Sequence, residues 1–141
     1  MLMKSANYTI YLIFLAGILS LSGCTKEENT GTDPTDARSA FLGRWSVNET
    51  WTKLTYEVNI SADPGSSNGV FISNFANTGS SSIPAAATVS GTSILLDPDQ
   101  VIGEDWIING SGTLKEPKIN WNYTINNGAD LIVVTAIYTR L

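Results

Sequence analysis

Two patterns of hydrophobic and polar residues divide the chain. Residues 10–21 form a nearly continuous apolar run, preceded by an N-terminal end whose only charged side chain is Lys4. From about residue 43 onward, short runs instead alternate apolar and polar residues, and turn formers such as Gly, Asn and Pro separate them. A period of two is typical of half-buried β-strands, so the second region is expected to fold as a sheet.

The alternating region predicts eight main strands and a short ninth. The clearest runs, residues 54–61 (starting with inward Leu54) and 118–125, place large apolar side chains on one face and polar ones on the other. The run 131–137 is apolar on nearly both faces, which predicts a central strand or one covered on both sides. The predicted strands are Gly43–Thr50, Leu54–Ser61, Val70–Phe75, Ala86–Ser90, Ser93–Leu96, Trp106–Thr113, Lys118–Ile125 and Leu131–Thr139, with Gln100–Ile102 as the ninth.

Short turns between neighbouring strands predict an all-β fold with a single antiparallel meander. A meander of about eight strands protects its edges best by closing into a small barrel, and a β-sandwich is the alternative. The only helical element expected is a turn near residues 36–41. The stretch Asn77–Pro84 is expected to be the longest soft loop, because it lacks a strand pattern.

The N-terminal apolar run has the features of an export signal. A membrane-spanning helix needs about 20 apolar residues, whereas this run is shorter and is interrupted by Gly17 and Ser20. The residues Leu21-Ser22-Gly23-Cys24 resemble the lipobox of bacterial lipoproteins. That resemblance implies cleavage before Cys24 and a diacylglycerol on its sulfur. Cys24 is the only cysteine, so an intramolecular disulfide is excluded.

These signals divide the chain into a lipoprotein signal peptide (1–23), a lipidated cysteine with a flexible tether (24–36) and a β-barrel domain (37–141). The tether contains no apolar side chain that could be buried. Its Lys26-Glu27-Glu28 is similar to the signal that sends Bacteroidota lipoproteins to the outer face of the outer membrane; an ordinary solvated charge cluster explains it equally well. The expected location is therefore the outer membrane, lipid-anchored, with surface exposure left open.

A second resemblance concerns the start of the barrel. Within Phe41-Leu42-Gly43-Arg44-Trp45, the Gly-x-Trp element is similar to the start of lipocalin-like barrels. In that family the Trp plugs one end, and an Arg on or after the last strand packs against it. The resemblance thus assigns barrel closure to Trp45 and Arg140. Lipocalins are longer and carry a helix after the barrel, so a large ligand cavity does not follow from it.

The sequence offers few groups for catalysis. It contains no histidine, which removes the usual general base and the commonest metal ligand. Asp97, Asp99, Glu104 and Asp105 are candidates for a calcium site or a glycosidase pair, but solvated turn acids are the better interpretation. We therefore expect no enzyme, no metal and no other cofactor. No residue can be assigned to ligand binding from sequence.

The remaining features indicate a binding protein. Trp45, Trp121 and Tyr123 lie on patterned strands and are expected in the core, whereas Trp51 is the tryptophan expected to be exposed. The net charge of −5 argues against nucleic acid. The expected function is that of a non-catalytic, lipid-anchored envelope protein that binds a small apolar ligand or a protein partner. The alternative is a lipoprotein inhibitor of an exported hydrolase, with Asn77–Pro84 as its protruding loop.

The lipidation hypothesis predicts that cells fed a fatty-acid analogue will label this protein and that Cys24→Ala will abolish the label. The reason is that the thiol is the acceptor of the diacylglycerol. The measurement is in-gel detection of the analogue on the immunoprecipitated protein. A Ser22→Ala variant, which keeps a small residue before the cleavage point, serves as the control and should remain labelled. Persistent labelling of Cys24→Ala would contradict the hypothesis.

Overall fold

The computed structural model describes residues 36–141, so the predicted signal peptide, Cys24 and almost all of the predicted tether lie outside the described residues. The described part contains nine strands and one short 3-10 helix. Every predicted strand is present, including the short ninth. The strands are β1 (Gly43–Glu49), β2 (Thr55–Ala62), β3 (Gly69–Ser73), β4 (Ala85–Ser90), β5 (Ser93–Leu96), β6 (Gln100–Ile102), β7 (Trp106–Lys115), β8 (Lys118–Asn126) and β9 (Leu131–Arg140); the helix is Phe75–Asn77.

Eight of these strands form a closed antiparallel barrel. The order around the ring is β5-β4-β3-β2-β1-β9-β8-β7, and β5 pairs with β7 to complete it. The same edge of β7 also carries β6, which pairs with the first residues of β7 and lies outside the ring. The predicted all-β barrel is therefore confirmed. A β-sandwich consists of two separate sheets, whereas here one continuous sheet closes on itself through the β5–β7 pairing.

Alternation along the strands fills the interior of the barrel. On β8, Ile119, Trp121, Tyr123 and Ile125 are all buried, as predicted, and the residues between them are exposed or half-buried. Gly112 on the neighbouring β7 leaves the space for Trp121, because a Cβ there would lie 2.9 Å from the indole. The strand pattern thus sets the contents of the core.

Aromatic rings occupy the centre of the core. The Phe75 ring lies 4.8 Å from that of Tyr123 and 5.6 Å from that of Trp121, centroid to centroid. Trp121 in turn lies 5.5 Å from Tyr138. Such tilted and edge-to-face contacts stabilise beyond the area they bury. The largest fully buried side chains are Trp45, Trp121, Tyr123, Tyr138, Phe41 and Phe75.

The connections fall at two opposite ends of the barrel, which follows from the antiparallel order of the strands. The terminal end carries residues 36–42, the turns 63–68, 91–92 and 116–117, and the C-terminal Leu141. The loop end carries the connections 50–54, 74–84, 103–105 and 127–130. The segment 97–99 lies along the barrel wall instead, because it joins β5 to β6 and both strands pair in the same direction with one edge of β7.

Two expectations about local structure need correction, and the expectation for β9 holds in one of its two alternatives. Leu54 is 54% exposed, since β2 begins only at Thr55. β9 lies centrally between β1 and β8, but it is not covered outside: Leu131, Val133 and Ile137 are 68%, 74% and 42% exposed. Residues 36–41 form hydrogen-bonded turns, whereas the helical turn lies at Phe75–Asn77, with Asn74 in the left-handed region at φ 60°.

Arg140 joins the two ends of the described chain at the terminal end. It pairs in register with Trp45 across β1 and β9, and its guanidinium carbon lies 4.2 Å from the Trp45 ring centroid. The same guanidinium donates to the Leu42 carbonyl at 3.0 Å and also to the Ala40 carbonyl. Trp45 Nε1 donates to the Phe41 carbonyl at 2.8 Å. One cation therefore holds the indole and the segment before β1.

Arg38 fastens the same segment to the β2–β3 turn. One of its nitrogens donates to the carbonyls of Asp63, Ser66 and Gly69, at 2.9, 2.7 and 3.1 Å. Its other nitrogens bind the Asp36 carboxylate, and this hydrogen-bonded guanidinium lowers the pKa of Asp36 to about 2. The terminal end is thus closed by two arginines that cap backbone carbonyls, a role suited to the planar guanidinium.

The Arg140 contacts predict that Arg140→Ala will lower the free energy of unfolding by about 1–3 kcal/mol, the range for losing a partly buried polar anchor. Arg140→Lys should recover only part of the loss, because an ammonium cannot donate to two carbonyls while covering the indole. Urea melts of residues 24–141 carrying Cys24→Ser would measure both.

The matched control is Arg44→Ala. Arg44 forms an exposed ion pair with Glu57, so its loss should cost less than about 1 kcal/mol. Equal effects of Arg140→Ala and Arg44→Ala would show that Arg140 does not contribute to barrel closure.

Candidate functional site

A buried carboxylate lies where the core reaches the loop end. Glu49, the last residue of β1, is only 2% exposed. Its Oε2 accepts hydrogen bonds from the hydroxyls of Tyr56 at 2.8 Å and Tyr123 at 2.6 Å. Its Oε1 accepts one from the Thr52 hydroxyl at 2.8 Å. Three donors therefore compensate the desolvation of one carboxylate.

Tyr56 and Tyr123 are held as neutral donors to Glu49. Burial raises the pKa of Tyr56 above its ordinary value, and the nearby Glu49 charge adds to the rise. Burial likewise raises the pKa of Tyr123 and of fully buried Tyr138. The Tyr138 hydroxyl makes no hydrogen bond with any residue of the described part. The core near the loop end therefore contains polar groups, Glu49 and the tyrosine hydroxyls, surrounded by apolar side chains.

Glu49 was not predicted as a site residue, although a signal for it was present. Trp45, Val47 and Glu49 are in phase along the first predicted strand, so a core position for Trp45 also places Glu49 inside. The hydroxyl donors come from other strands and a turn, which a period of two cannot bring together. Sequence therefore could reveal the buried acid but not its partners.

A small cavity opens at the loop end. We call it the loop-end cavity; it measures about 180 Å³ and is lined by Asn77, Thr78, Gly103, Glu104 and Trp106. Trp106 is half-buried and meets Trp51 edge to face, with ring centroids 5.3 Å apart at 68°. Trp51 was expected to be exposed, but this contact leaves it half-buried.

Backbone strain is concentrated at the same end. Six residues other than glycine have positive φ; five of them belong to loop-end connections, and Asp99 lies in the segment between β5 and β6. Asn and Asp tolerate this left-handed conformation, so it costs free energy mainly at Lys53 and Ala76, and strained residues of this kind cluster at ligand clamps and functional loops. The six residues are Lys53 (58°), Asn74 (60°), Ala76 (53°), Asn77 (58°), Asp99 (54°) and Asp105 (61°).

A second depression lies on the outer wall of the barrel. It measures about 240 Å³ and is lined by Arg44, Glu57, Val58, Asn59, Ser73, Asn74 and Ser80. The Arg44–Glu57 ion pair already satisfies its charges, and no aromatic ring lines it. The loop-end cavity is the better candidate site, because it combines an indole with polar groups.

The predicted acids do not form a cluster. Asp97, Asp99, Glu104 and Asp105 are all exposed, and Asp99 accepts a hydrogen bond from the Asn109 amide at 3.1 Å. Within residues 36–141, no group of three or more metal-binding side chains comes together. None of the helices described there is long and apolar enough to cross a membrane.

The fold and the site define a small closed barrel with a filled core and a polar, aromatic-lined cavity at one end. No protein-family model matches the chain, and no curated protein matches it. Among solved structures, the chain is similar to a candidate outer membrane protein from Bacteroides fragilis, with 15% identity and a TM-score of 0.45. The similarity covers 74% of this chain and 52% of that one, so this chain spans about half that protein's length.

The Glu49 cluster predicts that Glu49→Met will lower the free energy of unfolding by about 2–4 kcal/mol. Methionine is similar in length but leaves three buried or half-buried hydroxyls without their acceptor, and each unsatisfied group costs roughly 1–3 kcal/mol. Urea melts would measure this loss.

A compensating variant sharpens this test. Adding Tyr56→Phe and Tyr123→Phe to Glu49→Met should restore most of the stability, because replacing both partners of a buried hydrogen bond is nearly neutral. A triple variant no more stable than Glu49→Met alone would show that volume, not hydrogen bonding, sets the requirement at this position.

Proposed function

We propose that this chain is a lipid-anchored, non-catalytic binding protein of the cell envelope that meets its ligand or protein partner at the loop end. The anchor rests on the lipobox-like residues before Cys24. The assignment of binding to the loop end rests on one observation, that side chains fill the interior of the barrel.

The filled interior argues against a ligand held inside the barrel. Six large aromatic residues, all at most 2% exposed, occupy the core. Pockets for drug-sized ligands measure roughly 300–1,000 Å³, whereas the loop-end cavity measures about 180 Å³. The small apolar ligand expected from the lipocalin-like pattern therefore has no interior space, and recognition by loops is the better hypothesis.

The two ends of the barrel differ in the way that this function requires. Arg38 and Arg140 close the terminal end by hydrogen bonds to backbone carbonyls. The loop end carries the cavity, the strained residues and the Trp51–Trp106 pair. Binding residues lie preferentially on loops that a rigid scaffold positions, and the loop end fits that description.

An exposed apolar residue favours the inhibitor as a second candidate. Ile83 is 71% exposed on the connection between the 3-10 helix and β4. That connection is braced, since Ser82 donates its hydroxyl to the Thr78 carbonyl at 2.6 Å and Gly79 donates its N–H to the Asn74 side chain at 2.7 Å. A braced loop with an apolar tip is the shape needed to enter a hydrolase active site.

A photo-crosslinking experiment tests the proposed binding surface. A benzoylphenylalanine placed at Asn77 of the full chain, in living cells of the source bacterium, should form ultraviolet-dependent adducts. The matched control carries it at Asn68, which is also exposed but lies at the terminal end. Adducts at position 77 and none at 68 are expected. Adducts at 68 alone, at both positions equally or at neither would contradict the proposal, and an adduct with a hydrolase would select the inhibitor function.

A further inference from the structure

The loop-end cavity has polar groups that the fold does not use. The Asn77 amide and the Glu104 carboxylate are exposed, and neither makes a side-chain hydrogen bond or ion pair within residues 36–141. An amide offers two donors and an acceptor, and a carboxylate offers only acceptors. The two walls of the cavity therefore carry complementary hydrogen-bonding groups that can serve a ligand.

The third wall is an oriented aromatic ring. Trp106 is half-buried, and its edge-to-face contact with Trp51 restricts its orientation. A tryptophan fixed in this way presents a large apolar surface at low entropic cost. A ligand entering the cavity thus meets an apolar wall beside polar ones.

A close contact between two loops forms the rest of the cavity. A Cβ at Gly103, which has φ +55°, would lie 2.7 Å from the Thr78 methyl group. Only glycine permits this approach without displacement. Thr78 is itself fixed, because its hydroxyl donates to the Phe75 carbonyl at 3.0 Å. The cavity is therefore preorganised by the 3-10 helix and the β6–β7 turn.

We infer that the loop-end cavity binds one pyranose ring of a neutral sugar. A pyranose has an apolar face of C–H groups, which suits Trp106, and a rim of hydroxyls that donate to Glu104 and exchange hydrogen bonds with Asn77. A volume of about 180 Å³ leaves room for a single small ring. Glu104, the adjacent Asp105 and the net charge of −5 disfavour acidic sugars. This inference rests on the proposed function, because it names the ligand class for the loop end.

Saturation-transfer difference NMR tests the site directly. The full chain, purified in detergent micelles, is titrated with the methyl glycosides of glucose, galactose, mannose and N-acetylglucosamine. Methyl glucuronide and tetramethylammonium chloride are the charged comparison probes, since a carboxylate beside an indole also suits a cation. At least one neutral glycoside should give saturable signals on its ring C–H protons, and neither charged probe should bind as tightly.

Substitutions then assign the signals to the cavity. Trp106→Ala should raise the apparent Kd by about tenfold or more, as expected for loss of stacking. Trp106→Phe should recover part of the affinity, and Glu104→Gln should weaken it severalfold. Asn120→Ala, an exposed asparagine on the outer face of β8, is the matched control and should change nothing.

Three outcomes would overturn the sugar site: no neutral glycoside saturates, a charged probe binds more tightly, or Glu104→Gln and Trp106→Phe both bind like the wild type. Circular dichroism of each variant separates loss of binding from loss of the fold. If glycosides fail while crosslinking at position 77 succeeds, the sugar inference is wrong and loop-end binding stands. If glycosides bind but only position 68 crosslinks, the proposed partner surface is wrong instead.

Discussion

The β1–β9 pairing is the constraint on which the barrel depends, and Arg140 lies at its end. Its guanidinium contacts the Trp45 ring and donates to carbonyls in the segment before β1. Without this pairing, the sheet would have two free edges with unpaired backbone groups. Because Trp45 is also fully buried, the same contact links closure of the sheet to side-chain packing in the core near the terminal end.

Closure of the barrel in turn decides what its interior can hold. The inward residues of eight strands converge on one space, and here they are large enough to fill it. Phe75 enters from the loop end and packs against Trp121 and Tyr123, so the loop above the core is itself part of the core. A barrel built in this way serves as a rigid support, which leaves the loops to differ in chemistry. The strained residues at that end fit such a division, because a stable scaffold can hold them.

Much of the fold could be predicted from sequence, and the reasons are local. Runs such as residues 118–125 have one apolar face, and the same alternation places Trp121 and Tyr123 inside. The outer face of β9 shows the limit of this reasoning. Leu131 and Val133 are apolar yet exposed, because a period of two says which face is in phase but not whether anything covers it.

The candidate site was less predictable, because its parts are distant in sequence. The Glu49 cluster joins a strand end to a tyrosine 74 residues later. The loop-end cavity joins Asn77 and Thr78 to residues 103–106, and the left-handed Ala76 that helps to shape this loop gives no sequence signal. Such a site follows from topology, and topology is known only once the barrel is closed.

The topology also has a consequence for how the chain folds. β1 and β9 are neighbours in the barrel, but they lie at opposite ends of the described chain, with Val47 beside Tyr138. Pairing of such distant segments raises the contact order, and high contact order slows folding. Until it occurs, the edges of both strands remain open to a second copy. At high concentration, β9 of one copy can complete the barrel of another, and domain-swapped dimers are the misassembly to which this topology is prone.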